Sequence, residues 1–349
     1  MSSETSTPYT PASTSTSVAG NETVSLADEI KKYDTAKLID FLQERDLGLS
    51  ETAIKILEKE EIDGRAFLKL TKDEFRSVGL GLGPAVKLAD FAKECKDKKL
   101  RAFSTYRSLK EVLKKYGIDS NGTETIPLFS LQTHEIQDSN KHFKHCIENI
   151  LFRMKHYGSL VVDSLESMRN EYVSTILHTS LHIAGDVTRK EFSMRPEFEI
   201  IGEESSGRVD YAIKESENLI CVTEDKVQRN ILEGYAQNIK QLESSYETNK
   251  RKRKRDDDDF DYLYGIVTTA RDWHFLLYSP GEISQASELP LAIEFNKKAL
   301  DTDSEEYKTL RSGVKKVLGM IVGMIIDRAC VEDEPDRKRS RIEGYRTKK

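Results

Sequence analysis

The 349-residue chain carries only four cysteines, Cys95, Cys146, Cys221 and Cys330, and they are scattered. That spacing excludes a disulfide framework and any Cys-x-x-Cys zinc site, and it suits a reducing compartment. Long apolar runs are absent too. The longest, Val317 to Ile326, covers about ten residues where a membrane span needs about twenty, so no membrane partner is expected. It reads as part of a C-terminal helix, with Gly319 and Gly323 allowing close approach of a neighbour. There is no Gly-rich phosphate loop, no Gly-x-Ser-x-Gly elbow and no zinc-protease motif. The first 25 residues are rich in Ser, Thr and Pro without an apolar core, and they read as a disordered tail, not a signal peptide. The one tryptophan, Trp273, reads as core.

Charge is abundant and blocky. Lys and Arg number 54 against 60 Asp and Glu, a net charge of -6. Yet Lys250 to Arg255 are all cations and run straight into Asp256 to Asp259, and the chain ends with Arg337, Lys338, Arg339 and Arg341. Such blocks read as nuclear localisation signals or nucleic-acid contacts, so a nuclear location shared with the cytoplasm is the expectation. Residues 247–261 read as a disordered charged insertion and 331–349 as a basic tail. His142, His145 and Cys146 cluster, and His178 and His182 lie one helical turn apart, but buried or surface histidines explain the pattern better than a metal site.

Between residues 26 and 98 five short helical patterns carry clear punctuation. Leu38, Phe41 and Leu42 mark one face, Ser50 caps a helix bearing Ile54 and Leu57, and Thr71 with Glu74 forms a capping box closed by Gly79. Gly83-Pro84 puts proline at the first position of a longer helix through Val86, Leu88 and Phe91. The string Ile62 to Thr71, continued by Val78-Gly79-Leu80 and Gly83 to Leu88, resembles a sterile alpha motif (SAM) domain. The resemblance implies protein association, either with another SAM protein or head-to-tail with a second copy. The acidic surface for that contact would be Glu58, Glu60, Glu61 and Asp63, and the basic one Lys87 and Lys93. Ordinary solvated charge is an equal alternative for these residues.

A second unit, 131–330, follows a helical linker at 99–130. Its centre is a hairpin: Gly207 to Ile213 alternates as a strand, Lys214 to Asn218 is turn-like, and Leu219 to Lys226 resumes an apolar run. Side chains two apart on a strand share a face, so Glu224 and Lys226 project together while Asp225 points away. Asp210 and Glu224 are oxygen donors of the type Mg²⁺ (or Mn²⁺) takes, and a lysine beside them can orient or deprotonate water and stabilise a phosphodiester transition state. A strand end surfacing into solvent produces the same three charges, so the motif is weak alone.

Gly207-Arg208-Val209-Asp210 followed by Glu224-Asp225-Lys226 resembles the two motif halves of the PD-(D/E)XK nuclease superfamily, with the literal Pro-Asp replaced. The fold implied is multidomain: an all-α five-helix SAM domain, then an α/β restriction-endonuclease-like domain with a mixed central sheet. The resemblance also implies a third carboxylate from the preceding helix, Ser164 to Ala184, which Gly185 would stop; Glu171 is the choice and Glu166 its competitor. On the following helix, Val227 to Tyr246, Gln237 matches the glutamine of RecB-like members, although Gln241 stands where their tyrosine falls. The pairing of these units is similar to proteins of arbuscular mycorrhizal fungi and to the nuclease region of crinkler-type effectors. Two function classes stay open. One is a metal-dependent nuclease acting on nucleic acid, DNA favoured over RNA; the other is an inactive nuclease-fold scaffold or nucleic-acid-binding module.

Overall fold

A computed structural model describes residues 23–45, 47–130, 133–252 and 261–331. The basic block beyond Lys252, the acidic run Asp256 to Asp259, the tail up to residue 22 and the basic tail from 332 lie outside the described residues.

The N-terminal unit is helical: α1 (Leu26–Ile30), α2 (Thr35–Glu44), α3 (Glu51–Lys59), α4 (Gly64–Lys69), α5 (Lys72–Ser77) and α6 (Leu82–Asp97). The first five start on a side chain that accepts from the N–H three residues on: Ser25, Asp34, Ser50, Asp63 and Thr71. Each such cap satisfies a donor that has no partner within the helix. Two sequence expectations are corrected here. The helices among the described residues number six, because α1 is a turn too short to show a periodic face. Pro84 is the third residue of α6, not the first, still inside the turn whose N–H groups lack intrahelical acceptors.

Strand β1 (Thr23–Ser25) pairs antiparallel with β2 (Lys99–Ala102), so the expected disordered tail ends in a strand and the expected helical linker begins with one. Helix α7 (Leu109–Leu113) follows, then α8 (Lys141–Tyr157) and α9 (Glu166–Thr188). Helix α9 passes through Gly185 and stops on Arg189, whose left-handed φ of 61° and N–H bond to the Gly185 carbonyl close it. Next come β3 (Phe192–Ile201), β4 (Ser205–Glu215), β5 (Asn218–Asp225) and α10 (Ile231–Lys252). The chain then forms β6 (Leu263–Thr268), β7 (Asp272–Ser279), β8 (Glu282–Gln285), β9 (Leu291–Ala292) and α11 (Glu305–Val331). Residues 247–252, expected in a disordered insertion, therefore continue α10.

The nine strands among the described residues form one mixed sheet in the order β1-β2-β4-β5-β6-β7-β8, with β3 also on β4 and β9 also on β7. The β2/β4 and β5/β6 pairs are parallel and the rest antiparallel. Helices α8, α9 and α11 cover one face through Phe143, Tyr172, Ile176 and Ile321 against Ile266 and Trp273. Helices α7 and α10 cover the other through Val112, Ile239 and Leu242 against Val222 and Leu276. Gly319 of α11 lets the chain come close: its carbonyl accepts the His134 N–H at 2.9 Å, and a Cβ there would stand 2.7 Å from the His134 oxygen. No helix among the described residues is long and apolar enough to cross a membrane.

Candidate functional site

The register Tyr211↔Thr223 sets Asp210 beside Glu224 where the β4–β5 ladder ends. There the ladder is continued by a side chain: the Asp225 N–H donates to Asp210 Oδ2 at 2.5 Å. Glu224 is 3% exposed, and its Oε1 meets the Lys226 ammonium at 2.6 Å. Its other oxygen, Oε2, accepts from Gln241 Nε2 at 2.5 Å. Asn238, one turn back on α10, donates to Gln241 Oε1 and to the Val222 carbonyl, both at 3.2 Å, which fixes the amide so that its nitrogen faces Glu224. Gly234 lets the start of α10 approach this point; a Cβ there would meet Val267 Cγ1 at 2.8 Å and Lys226 Cγ at 3.0 Å.

The structure therefore brings together Asp210, Glu224 and Lys226. Gln237 is buried on α10 but makes no hydrogen bond to the acids; Gln241 does. The helical turn between them decides which amide reaches β5, and the buried polar run on α10 was the sequence signal. Glu171 is drawn off by Arg153, whose Nε lies 3.1 Å from its carboxylate. Glu166, at the start of α9, is the helical acid whose field acts on both Asp225 and Lys226. Arg169, which the sequence reading passed over, makes a buried pair with Asp225 on the opposite face of β5: Nε stands 3.1 Å from both carboxylate oxygens and Nη2 stands 2.9 Å from Oδ2.

Electrostatics sharpen the roles. Burial, and then the charge of Glu224, push the Asp210 carboxyl up to about 8, against the Asp225 N–H and Lys226. For Lys226, burial works to lower the pKa, but Glu224, Asp210 and Glu166 outweigh it and the shift is upward. The lysine is thus a fixed cation at neutral pH. Two adjacent carboxylates, one under like-charge pressure, fit Mg²⁺, which takes oxygen ligands and needs only one or two carboxylates beside water and substrate oxygens. Among the described residues no group of three or more His, Cys, Asp and Glu side chains converges, unlike a zinc cage. His142 and His182 instead stack at 5.2 Å, and His142 Nε2 meets Asp186 at 3.0 Å.

A cleft of about 570 Å³ lies between α2 and β3, and none of Asp210, Glu224 and Lys226 lines it. Lys37, Arg195, Arg208 and Lys214 line it together with Asp40, Glu197 and Glu199, and Glu197 falls opposite Asp210 in the β3–β4 register. On the helical unit, Glu58, Glu60, Glu61 and Lys93 are exposed. Two residues of the expected association surfaces have local tasks: Asp63 caps α4, and the Lys87 ammonium donates to the Leu47 carbonyl at 2.9 Å.

The family model described as a SAM-like domain matches residues 8–94. The N-terminal helical region is thus SAM-like, and an α/β domain with a mixed sheet follows it. No curated protein matches the chain.

Proposed function

We propose that the chain is a divalent-metal-dependent nuclease of PD-(D/E)XK type whose SAM-like domain recruits a protein partner or a second copy. The observation that carries this reading is the 2.6 Å contact of Lys226 with Glu224, with Asp210 beside it on the neighbouring strand. Asp210 and Glu224 would hold Mg²⁺ or Mn²⁺. The bound ion supplies a Lewis acid for the phosphoryl oxygen and acidifies the attacking water. Lys226, in contact with Glu224, would orient or deprotonate that water and donate to a non-bridging oxygen in the transition state. Gln241 keeps Glu224 oriented, and Glu166 is the helical acid for this site in place of Glu171. The Arg195 and Arg208 wall of the cleft supports a nucleic-acid substrate, with DNA preferred to RNA in the proposal.

Purified full-length chain incubated with DNA and RNA oligonucleotides should cleave them with Mg²⁺ or Mn²⁺ and not in EDTA. Asp210→Ala, Glu224→Ala and Lys226→Ala should each lower the rate by roughly 100-fold or more. Metal-dependent cleavage surviving in the triple variant would reject the assignment. A second reading rests on one observation: both oxygens of Glu224 are already engaged, so the ion pair can serve as a closed structural element in a nuclease-fold scaffold or binding module. Oligonucleotide binding with no cleavage in any metal would support that alternative.

For the SAM-like domain, sedimentation of the full chain should show oligomers at low salt that dissociate as salt screens the contact over about 8–10 Å. Glu60→Lys with Glu61→Lys should be monomeric throughout. A wild-type monomer at every salt concentration would assign the domain to a different protein partner.

A further inference from the structure

We propose that Arg169 and Asp225 are positioning residues for the two-carboxylate site: their buried ion pair sets the β5 peptide whose N–H grips Asp210. The proposal rests on the metal reading for its purpose but not for its geometry. Asp225 stands between Glu224 and Lys226 in sequence yet faces α9, so it touches none of the reacting atoms. Its side chain is 0% exposed and that of Arg169 is 3% exposed. The guanidinium is held on both sides, by three contacts of Nε and Nη2 to the carboxylate and by Nη1 donating to the Ser164 carbonyl at 2.6 Å.

A buried strand position needs no charge to pack. The neighbours of Asp225 on the same face, Cys221 and Thr223, are buried without one, and replacing a buried ion pair by apolar residues of similar size is often neutral or stabilising. What an ion pair adds is a fixed direction. Asp225 is clamped through its side chain on one face while its backbone N–H is spent on Asp210 at 2.5 Å, and the next N–H, of Lys226, donates to the Thr268 carbonyl at 2.8 Å. Two successive peptides, flanking the Glu224 and Lys226 side chains, are therefore locked. The continuous link runs from α9 through Arg169 and Asp225 to Asp210, and Glu166 begins the same helix one turn earlier.

The test uses the full chain with Arg169→Met and Asp225→Leu together, a pair that preserves packing, with Arg169→Lys as a milder second variant. Melting temperature reports folding, ¹⁵N NMR reports hydrogen exchange at the position 225 amide in metal-free protein, and electron paramagnetic resonance reports binding of Mn²⁺ alone. The expected result is a melting temperature near wild type, exchange at position 225 at least tenfold faster and Mn²⁺ affinity at least tenfold weaker, with Arg169→Lys intermediate. Unchanged exchange at position 225 in the apolar pair would overturn the proposal, as would unchanged Mn²⁺ affinity. Faster exchange in a protein whose wild type binds no Mn²⁺ would retain the positioning link and defeat the metal reading instead.

Discussion

Asp210 is held under electrostatic tension, its carboxyl half-buried beside Glu224 and pushed up to about 8. A carboxyl whose folded pKa lies above its unfolded value binds more protons in the native state between the two values, so stability falls as pH rises through that window. Metal-free protein should therefore lose stability between about pH 4 and pH 8 and level off above. Asp210→Asn removes the Asp210 share of that slope, leaving the smaller share of Asp225, and should melt higher at pH 8, by on the order of 1–2 kcal/mol or roughly 1–3 °C. Thermal melts in EDTA would check this; parallel pH profiles for the two proteins would contradict it. At this scale the sequence was informative where a period of two applies. Alternation along Leu219 to Lys226 separates Glu224 and Lys226 from Asp225, and the structure has the first two in contact and the third turned to Arg169. Alternation says nothing of which helix residue lies over a strand. Gln241 and Arg169 reach β5 from 17 and 56 residues away, so Gln237 was preferred on a motif and Arg169 went unnoticed.

Helix α10 is the element that closes the site, and Gly234 sets its approach. A valine there must push aside Val267 or the Lys226 stem, because its Cβ alone would lie at 2.8 and 3.0 Å from them. Gly234→Val should cost roughly 1–3 kcal/mol of stability, the usual range for overpacking, and should displace Lys226 enough to weaken cleavage along with it. Urea unfolding with a parallel nuclease assay measures both, and wild-type values in each would show that α10 has slack at this point. Capping chemistry made the helices of the SAM-like region legible, since Ser50 and Thr71 each bind the N–H three residues on, whereas the same role of Asp63 was missed because it stands in an acidic cluster. Where the signal was local but ambiguous, it misled: Gly185 reads as a stop, yet α9 runs on through the exposed Asp186 and Val187 to Thr188, whose hydroxyl donates to the Ala184 carbonyl, and ends only at the left-handed Arg189. Strands β1 and β2 were invisible because their pairing is long-range, as in Arg101↔Ser205.

Across the whole molecule, β1 and β2 tie the helical region into the sheet of the α/β domain. Leu100 of β2 belongs to the SAM-like core, Ile201 of β3 packs against it, and Lys37 of α2 meets Glu199 of β3 at 2.7 Å. Helix punctuation in residues 26–98 and the hairpin at 207–226 indicated two units and their order, but not this shared sheet, since a chain read segment by segment does not reveal which edges meet. The cleft is walled on one side by Lys37, Asp40 and Phe41 of the SAM-like region and on the other by β3, including Glu197, which falls opposite Asp210 in the β3–β4 register. The claim that Asp210 and Glu224 form a divalent-cation site is tested most directly by crystals of the full chain grown with Mn²⁺ and measured for anomalous scattering. The account predicts one peak between the two carboxylates, at about 2.0–2.3 Å from an oxygen of each, lost in Asp210→Ala. Mn²⁺-dependent cleavage accompanied by an anomalous peak elsewhere, or by none between Asp210 and Glu224, would contradict it.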